Sequence, residues 1–116
     1  MARVTTSLYV SALIRRVTAS GGFAAIVQKG AEEAGAIHVA VRHRDGTIAL
    51  FSPAPQQVFN EQGQDERKFM RSESVTDDDS LARFCIAEQK FDPDYWLVEL
   101  EGSDKDLQEI LPVMKP

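Results

Sequence analysis

Between Ile37 and Phe51 apolar and polar positions alternate on either side of a short charged turn. Ile37, Val39 and Val41 alternate with His38, Ala40 and Arg42. Arg44-Asp45-Gly46-Thr47 then reverses the chain into Ile48-Ala49-Leu50-Phe51. A period of two belongs to a strand whose faces differ. Asp-Gly between two β-rich runs marks a hairpin, because a type I′ turn needs positive φ at both central residues. Pairing Arg44 with Thr47 sets Val41 opposite Leu50 and Arg42 opposite Ala49. On that register one face of the hairpin is aliphatic and the other carries guanidinium groups.

Elsewhere the period changes. In Ser7–Ser20, Val10, Leu13, Ile14 and Val17 fall at i, i+3, i+4 and i+7, the stripe of an amphipathic helix that Gly21-Gly22 would close. Val4–Tyr9 also holds enough β-branched and aromatic residues for a short leading strand. Phe23–Lys29 reads as a strand and Gly30–Gly35 as a loop, so Ala36–His43 becomes the middle of a three-strand meander. Pro53-Ala54-Pro55 ends its third strand, since proline has no N–H for a ladder. Gln56–Gln64 is polar and predicts a loop or helical turn, and Glu66–Val75 an edge strand. Asp77-Asp78-Asp79-Ser80 caps a helix whose stripe runs through Leu81, Phe84, Cys85 and Glu88. Phe91-Asp92-Pro93-Asp94 breaks that helix, Tyr95–Leu100 is a further strand, and Ser103-Asp104 opens a short helix through Leu107, Ile110 and Leu111.

The elements predict an α+β fold: an antiparallel sheet of four to five strands with a central meander, and two to three helices packed mainly on one face. At 116 residues, residues 1–116 form a single domain large enough to need no disulfide or structural metal. Tyr95 is expected at the rim of its core and Trp96 inside it. No run approaches the roughly 20 apolar residues that span a bilayer, and no signal peptide follows Met1. With Cys85 as the single cysteine, a cytoplasmic location without a membrane is expected.

Charge adds an asymmetry. Arg3, Arg15, Arg16, Lys29, Arg42 and Arg44 outnumber Glu32, Glu33 and Asp45 in the first sixty residues, whereas acids dominate the remainder and bring the chain to −5. A basic patch for an anionic ligand or a partner would draw on Arg15, Arg16, Arg42 and Arg44. Internal pairing of these arginines with the acidic half is the competing expectation, and a pI near 5.0 makes nucleic acid an unfavoured partner.

Other chemistry finds no foothold. His38 and His43 are an odd number of residues apart, so on one strand they point to opposite faces and share no metal. His43, near the strand end, is expected to be a partly buried imidazole. Cys85 lies on an apolar helical stripe, the place of a core cysteine rather than a nucleophile. Asp77–Asp79 reads as a cap, and Asp92 and Asp94 as a turn. No phosphate-binding glycine loop or nucleophile elbow occurs. No catalytic residue, metal or cofactor is therefore expected.

From the first helix through Glu101 the chain resembles a family of small alphaproteobacterial proteins known as a domain of unknown function. The resemblance rests on Val10-Ser11-Ala12-Leu13-Ile14-Arg15-Arg16, Gly22-Phe23-Ala24, Asp45-Gly46-Thr47, Pro53-Ala54-Pro55 and Phe91-Asp92-Pro93-Asp94-Tyr95-Trp96. It implies a bacterial cytoplasmic protein and no mechanism. The leading expectation is a non-enzymatic binding or protein-interaction domain, with a protein partner or a homodimer contact near Leu8 and Tyr9. Anionic-ligand binding through the arginines is the alternative, and a small enzyme with an unrecognised site is the second.

Overall fold

The computed structural model describes residues 4–54 and 67–113; the expected turn at Gln56–Gln64 lies outside them. Helix α1 spans Thr6–Ala19. Its cap is Thr5, whose side chain accepts from the Leu8 N–H at 3.3 Å, so the helix begins inside Val4–Tyr9 and, among the described residues, no strand precedes it. Strands β1 (Phe23–Gln28), β2 (Ile37–Arg42), β3 (Ile48–Pro53) and β4 (Phe69–Ser72) follow, then α2 (Asp78–Phe91), β5 (Trp96–Glu101) and α3 (Asp104–Ile110). Asp77 and Ser80 cap α2 reciprocally: the Ser80 N–H donates to Asp77 Oδ1 at 2.9 Å, and the Asp77 N–H donates to Ser80 Oγ at 3.0 Å.

The five strands stand in the order β1-β5-β2-β3-β4. β5 separates β1 from β2, so the expected meander over Phe23–Lys29, Ala36–His43 and the third strand is corrected: the meander is β2-β3-β4. The sheet is mixed, with β5 parallel to β2 and antiparallel to β1, and the other pairs antiparallel. Burial explains the order. In β5, Trp96, Leu97, Val98 and Leu100 are all buried, as are Ile37 to Val41 of β2. Residues apolar on both faces belong between other strands under helices on both sides.

The hairpin forms, with a different turn. His43 donates its N–H to the Thr47 carbonyl at 2.9 Å and Gly46 to the His43 carbonyl at 3.1 Å. Of the turn residues only Gly46 has positive φ, 91°, so the loop is the three-residue type with a glycine bulge rather than the type I′ turn. Asp45 holds it: its carboxylate accepts from the Thr47 N–H and hydroxyl at 2.9 and 2.6 Å. The extra residue moves the register by one, pairing Val41 with Ala49 and Arg42 with Ile48. A one-residue slip exchanges faces. Ala49 and Phe51 therefore join Val39 and Val41, and Ile48 and Leu50 join Ala40 on the other side.

Helices α1 and α3 cover the face of Val39, Val41, Trp96, Val98 and Leu100. Helix α2 covers the opposite face through Leu81, Phe84 and Cys85 on Ile48, Leu50, Tyr95 and Leu97. Two helices thus share one face and the third takes the other. Tyr95 is 3% exposed and belongs to this core rather than its rim; burial and the neighbouring Cys85 thiol push its hydroxyl up to about 12.

Candidate functional site

The four arginines do not form one surface. Arg42 is held by two carboxylates: Nε donates to Glu99 Oε1 at 3.0 Å, and Nη2 and Nη1 donate to the two Asp78 oxygens at 2.9 and 3.2 Å. The guanidinium in turn holds the Asp78 carboxyl below its ordinary value. Arg44 is exposed at the hairpin tip. Arg42, Arg44 and His43 line one open concavity of about 730 Å³ with Glu101 and Asp104, so its charge is mixed. Arg15 and Arg16 are exposed on α1 and line other concavities.

A polar row that the sequence reading did not pick out lies beneath α2. His38, 6% exposed, contacts Ser52 Oγ through Nδ1 at 2.8 Å and Glu88 Oε2 through Nε2 at 3.2 Å. A carboxylate accepts only, which assigns the proton of the neutral ring to Nε2 and makes Nδ1 the acceptor of the Ser52 hydroxyl proton. Phe84 and Tyr95 pack edge-on against the imidazole at 5.0 and 5.8 Å. Burial lowers the His38 pKa from 6.5, and the Glu88 charge opposes that shift. His38 is therefore a fully buried histidine, and His43 is partly buried beyond the end of β2, as expected. Serine, histidine and glutamate are the residue types of a hydrolytic triad; here His38 is buried beneath α2, and the row fastens α2 to β2 and β3. One signal was available: Glu88 falls on the apolar stripe of its helix, where a carboxylate needs a partner.

A second buried polar group is Arg67, 6% exposed. It donates to Thr6 Oγ1 at 3.2 Å and to the Val4 carbonyl at 2.7 Å, and lies 5.1 Å above the Tyr9 ring. Tyr9, expected as a contact surface with Leu8, is instead packed on the core 6.4 Å from Phe69. Leu8 remains exposed. Among the described residues no group of three or more His, Cys, Asp or Glu stands where it could hold a metal ion.

The surface that no motif announced is β1. It pairs with β5 along one side and ends the sheet on the other. Phe23, Ile26 and Val27 are 53%, 45% and 56% exposed, and none of its six residues is charged. A bulge at Val27 interrupts the ladder between Ile26 and Gln28, so two consecutive aliphatic residues reach solvent.

Residues 4–110 match the family described as "Protein of unknown function (DUF1491)". The chain belongs to the DUF1491 family. The match extends past Glu101, so α3 is part of the family's domain. A solution structure of a protein from A. tumefaciens is 39% identical, with 99% of this chain and 98% of that one covered at a TM-score of 0.82. A crystal structure of a DUF1491 family protein from Caulobacter crescentus CB15 is 35% identical, with 98% and 100% covered at 0.74. An NMR structure of a DUF1491 family protein from the same organism is 36% identical, with 99% and 100% covered at 0.73. Both source organisms are alphaproteobacteria. No curated protein matches the chain.

Proposed function

We propose that this DUF1491 domain is a non-catalytic cytoplasmic binding domain that receives an extended protein segment along the open edge of β1. The observation that carries the reading is the uncharged strand Phe23–Gln28, exposed at Phe23, Ile26 and Val27 on the outer side of the sheet. An edge strand offers a row of backbone N–H and C=O groups, and proteins ordinarily protect it with charge, proline or a covering element. Apolar side chains beside open backbone groups are what strand addition requires: main-chain bonds supply affinity and alternate side chains supply selectivity. The cytoplasmic setting is supported by the free thiol of Cys85.

The test is a display selection of extended peptides on the immobilised domain, followed by amide chemical-shift mapping of the bound peptides. The reading predicts shifts confined to residues 23–28 and their β5 neighbours, and loss of binding in Ile26→Lys. Shifts centred on another surface would overturn it, as would a selection that yields no binder at concentrations where the chain is monomeric.

A second reading keeps the arginines: an anionic ligand at the concavity of Arg42, His43 and Arg44, with Arg15 and Arg16 as a separate basic surface on α1. Its support is that two of the four arginines share one concavity. It predicts affinity for an anionic ligand that falls steeply with salt and is lost in Arg44→Ala. Salt-independent binding, or binding retained without Arg44, contradicts it.

A further inference from the structure

We infer that the strand completing the β1 edge is β1 of a second copy of this chain, joining two five-stranded sheets about a two-fold axis. The inference rests on the β1 reading above and names its occupant.

The sheet has two edges, and they are built differently. β4 has four residues and carries the exposed Arg71. It is further occupied by the chain's own end: the Phe69 N–H donates to the Pro112 carbonyl at 2.9 Å, and Phe69 bridges to Val113. Short length, charge and cover are the devices that keep an edge from recruiting another strand. β1 is longer and uncharged, and among the described residues its bulge at Val27 is the one restraint on it.

The β1 sequence is also complementary to itself. With the axis at Ala25, antiparallel pairing sets Phe23 opposite Val27 of the second copy, and Ala24 opposite its Ile26. Large residues then face small ones beside the axis, and an aromatic faces a β-branched residue at each end, a favourable cross-strand pair. No like charges meet in this ladder. That matters because each copy carries a net charge of −5, so two copies approach with least repulsion along an uncharged strip. The bulge confines the pairing to residues 23–27. Closed two-fold dimers are also the commonest arrangement of identical chains.

Sedimentation equilibrium on the full chain tests this with Ile26→Lys, Ile26→Glu and their equimolar mixture. Residue 26 is exposed, and urea unfolding confirms that each variant remains folded. In the proposed register the two copies of position 26 are diagonal neighbours, within reach of long side chains. The inference predicts a concentration-dependent wild-type dimer, two monomeric variants, and a heterodimer when they are mixed. Should position 26 prove structurally sensitive, Phe23→Lys and Val27→Glu, which face one another across the axis in this register, provide the same comparison. A monomeric wild type overturns self-pairing while leaving strand addition to be judged by the peptide mapping. A dimer that survives both substitutions overturns it by locating the contact elsewhere. Monomeric variants that do not recombine rule out pairing about this axis. If peptide mapping also moves away from residues 23–28, the edge reading itself fails.

Discussion

β5 and β1 are neighbours in one antiparallel ladder and are similarly apolar, but their surroundings are opposite. In β5 every apolar residue of Trp96-Leu97-Val98 and Leu100 is at most 2% exposed, enclosed by α1 and α3 on one face and α2 on the other. In β1 no residue is fully buried, and its three largest apolar side chains stand about half in solvent. The hydrophobicity of β5 is accounted for by the fold that contains it. That of β1 is not, and scattered exposed apolar residues would not require explanation, whereas a strip of them along an open strand edge does. β5 builds the domain's core, and β1 leaves an apolar edge that the core does not use.

The strongest challenge to this contrast is Trp96→Ala. Its indole donates to the Ala31 carbonyl at 2.8 Å, and Gly35 lies so close that a Cβ there would stand 2.8 Å from the ring. Truncation should cost about 3–5 kcal/mol in urea unfolding. A loss near that of a surface substitution would mean that β5 is not the centre of the core.

Next is Arg42→Ala. Glu99, which interrupts the apolar run of β5 and faces Ala25 of β1, pairs with Arg42 while both side chains are partly exposed. Its loss should cost about 1 kcal/mol, the range for partly solvated charge pairs. An effect as large as that of Trp96→Ala would make the pair a core element.

Acid should act through His38, which pairs with Leu97 of β5 across the sheet. Its folded pKa lies below the ordinary 6.5, so the unfolded chain takes up the proton more readily. Its contribution is therefore a loss of stability as pH falls below 6.5, levelling off below the folded pKa. Asp77 and Asp78 have pKa values below the ordinary 3.8, so the stability they add is present above 3.8 and disappears as pH drops through their folded values. Urea midpoints across pH should fall in that order, and the upper step should be absent in His38→Gln. An unchanged upper step in that variant would remove His38 as its cause.

The smallest effect on stability is predicted for Ile26→Lys, within about 0.5 kcal/mol under conditions where the chain is monomeric. A larger cost would show that β1 contributes to the monomer's own core.

Much of the fold was legible because it is local. The α1 stripe, the Asp77–Ser80 cap, the break at Asp92-Pro93-Asp94 and the β2–β3 hairpin are each encoded within a few residues. The insertion of β5 between β1 and β2 was not, because strand order is decided by contacts some seventy residues apart in sequence, such as Ala24 with Leu100. A hint existed in Tyr95–Leu100, where apolar residues on both faces mark an interior strand. The hairpin register was misread because Asp-Gly suits more than one loop length, and the slip moved Ala49 and Phe51 to the other face. At the candidate sites, Arg42 was seen to be paired or ligand-binding, but its two carboxylates lie on elements remote in sequence. The β1 edge escaped notice for a related reason: an apolar run reads as core until its place in the sheet is known.

Amide hydrogen exchange measured over a range of protein concentrations tests the central claim most directly. The interior β5 amides should be protected at every concentration. The β1 amides of residues 23–27 that point away from β5 should exchange quickly in dilute solution and become protected as concentration rises, together with the increase in mass. Exchange in β1 that stays fast and independent of concentration would contradict a self-pairing edge.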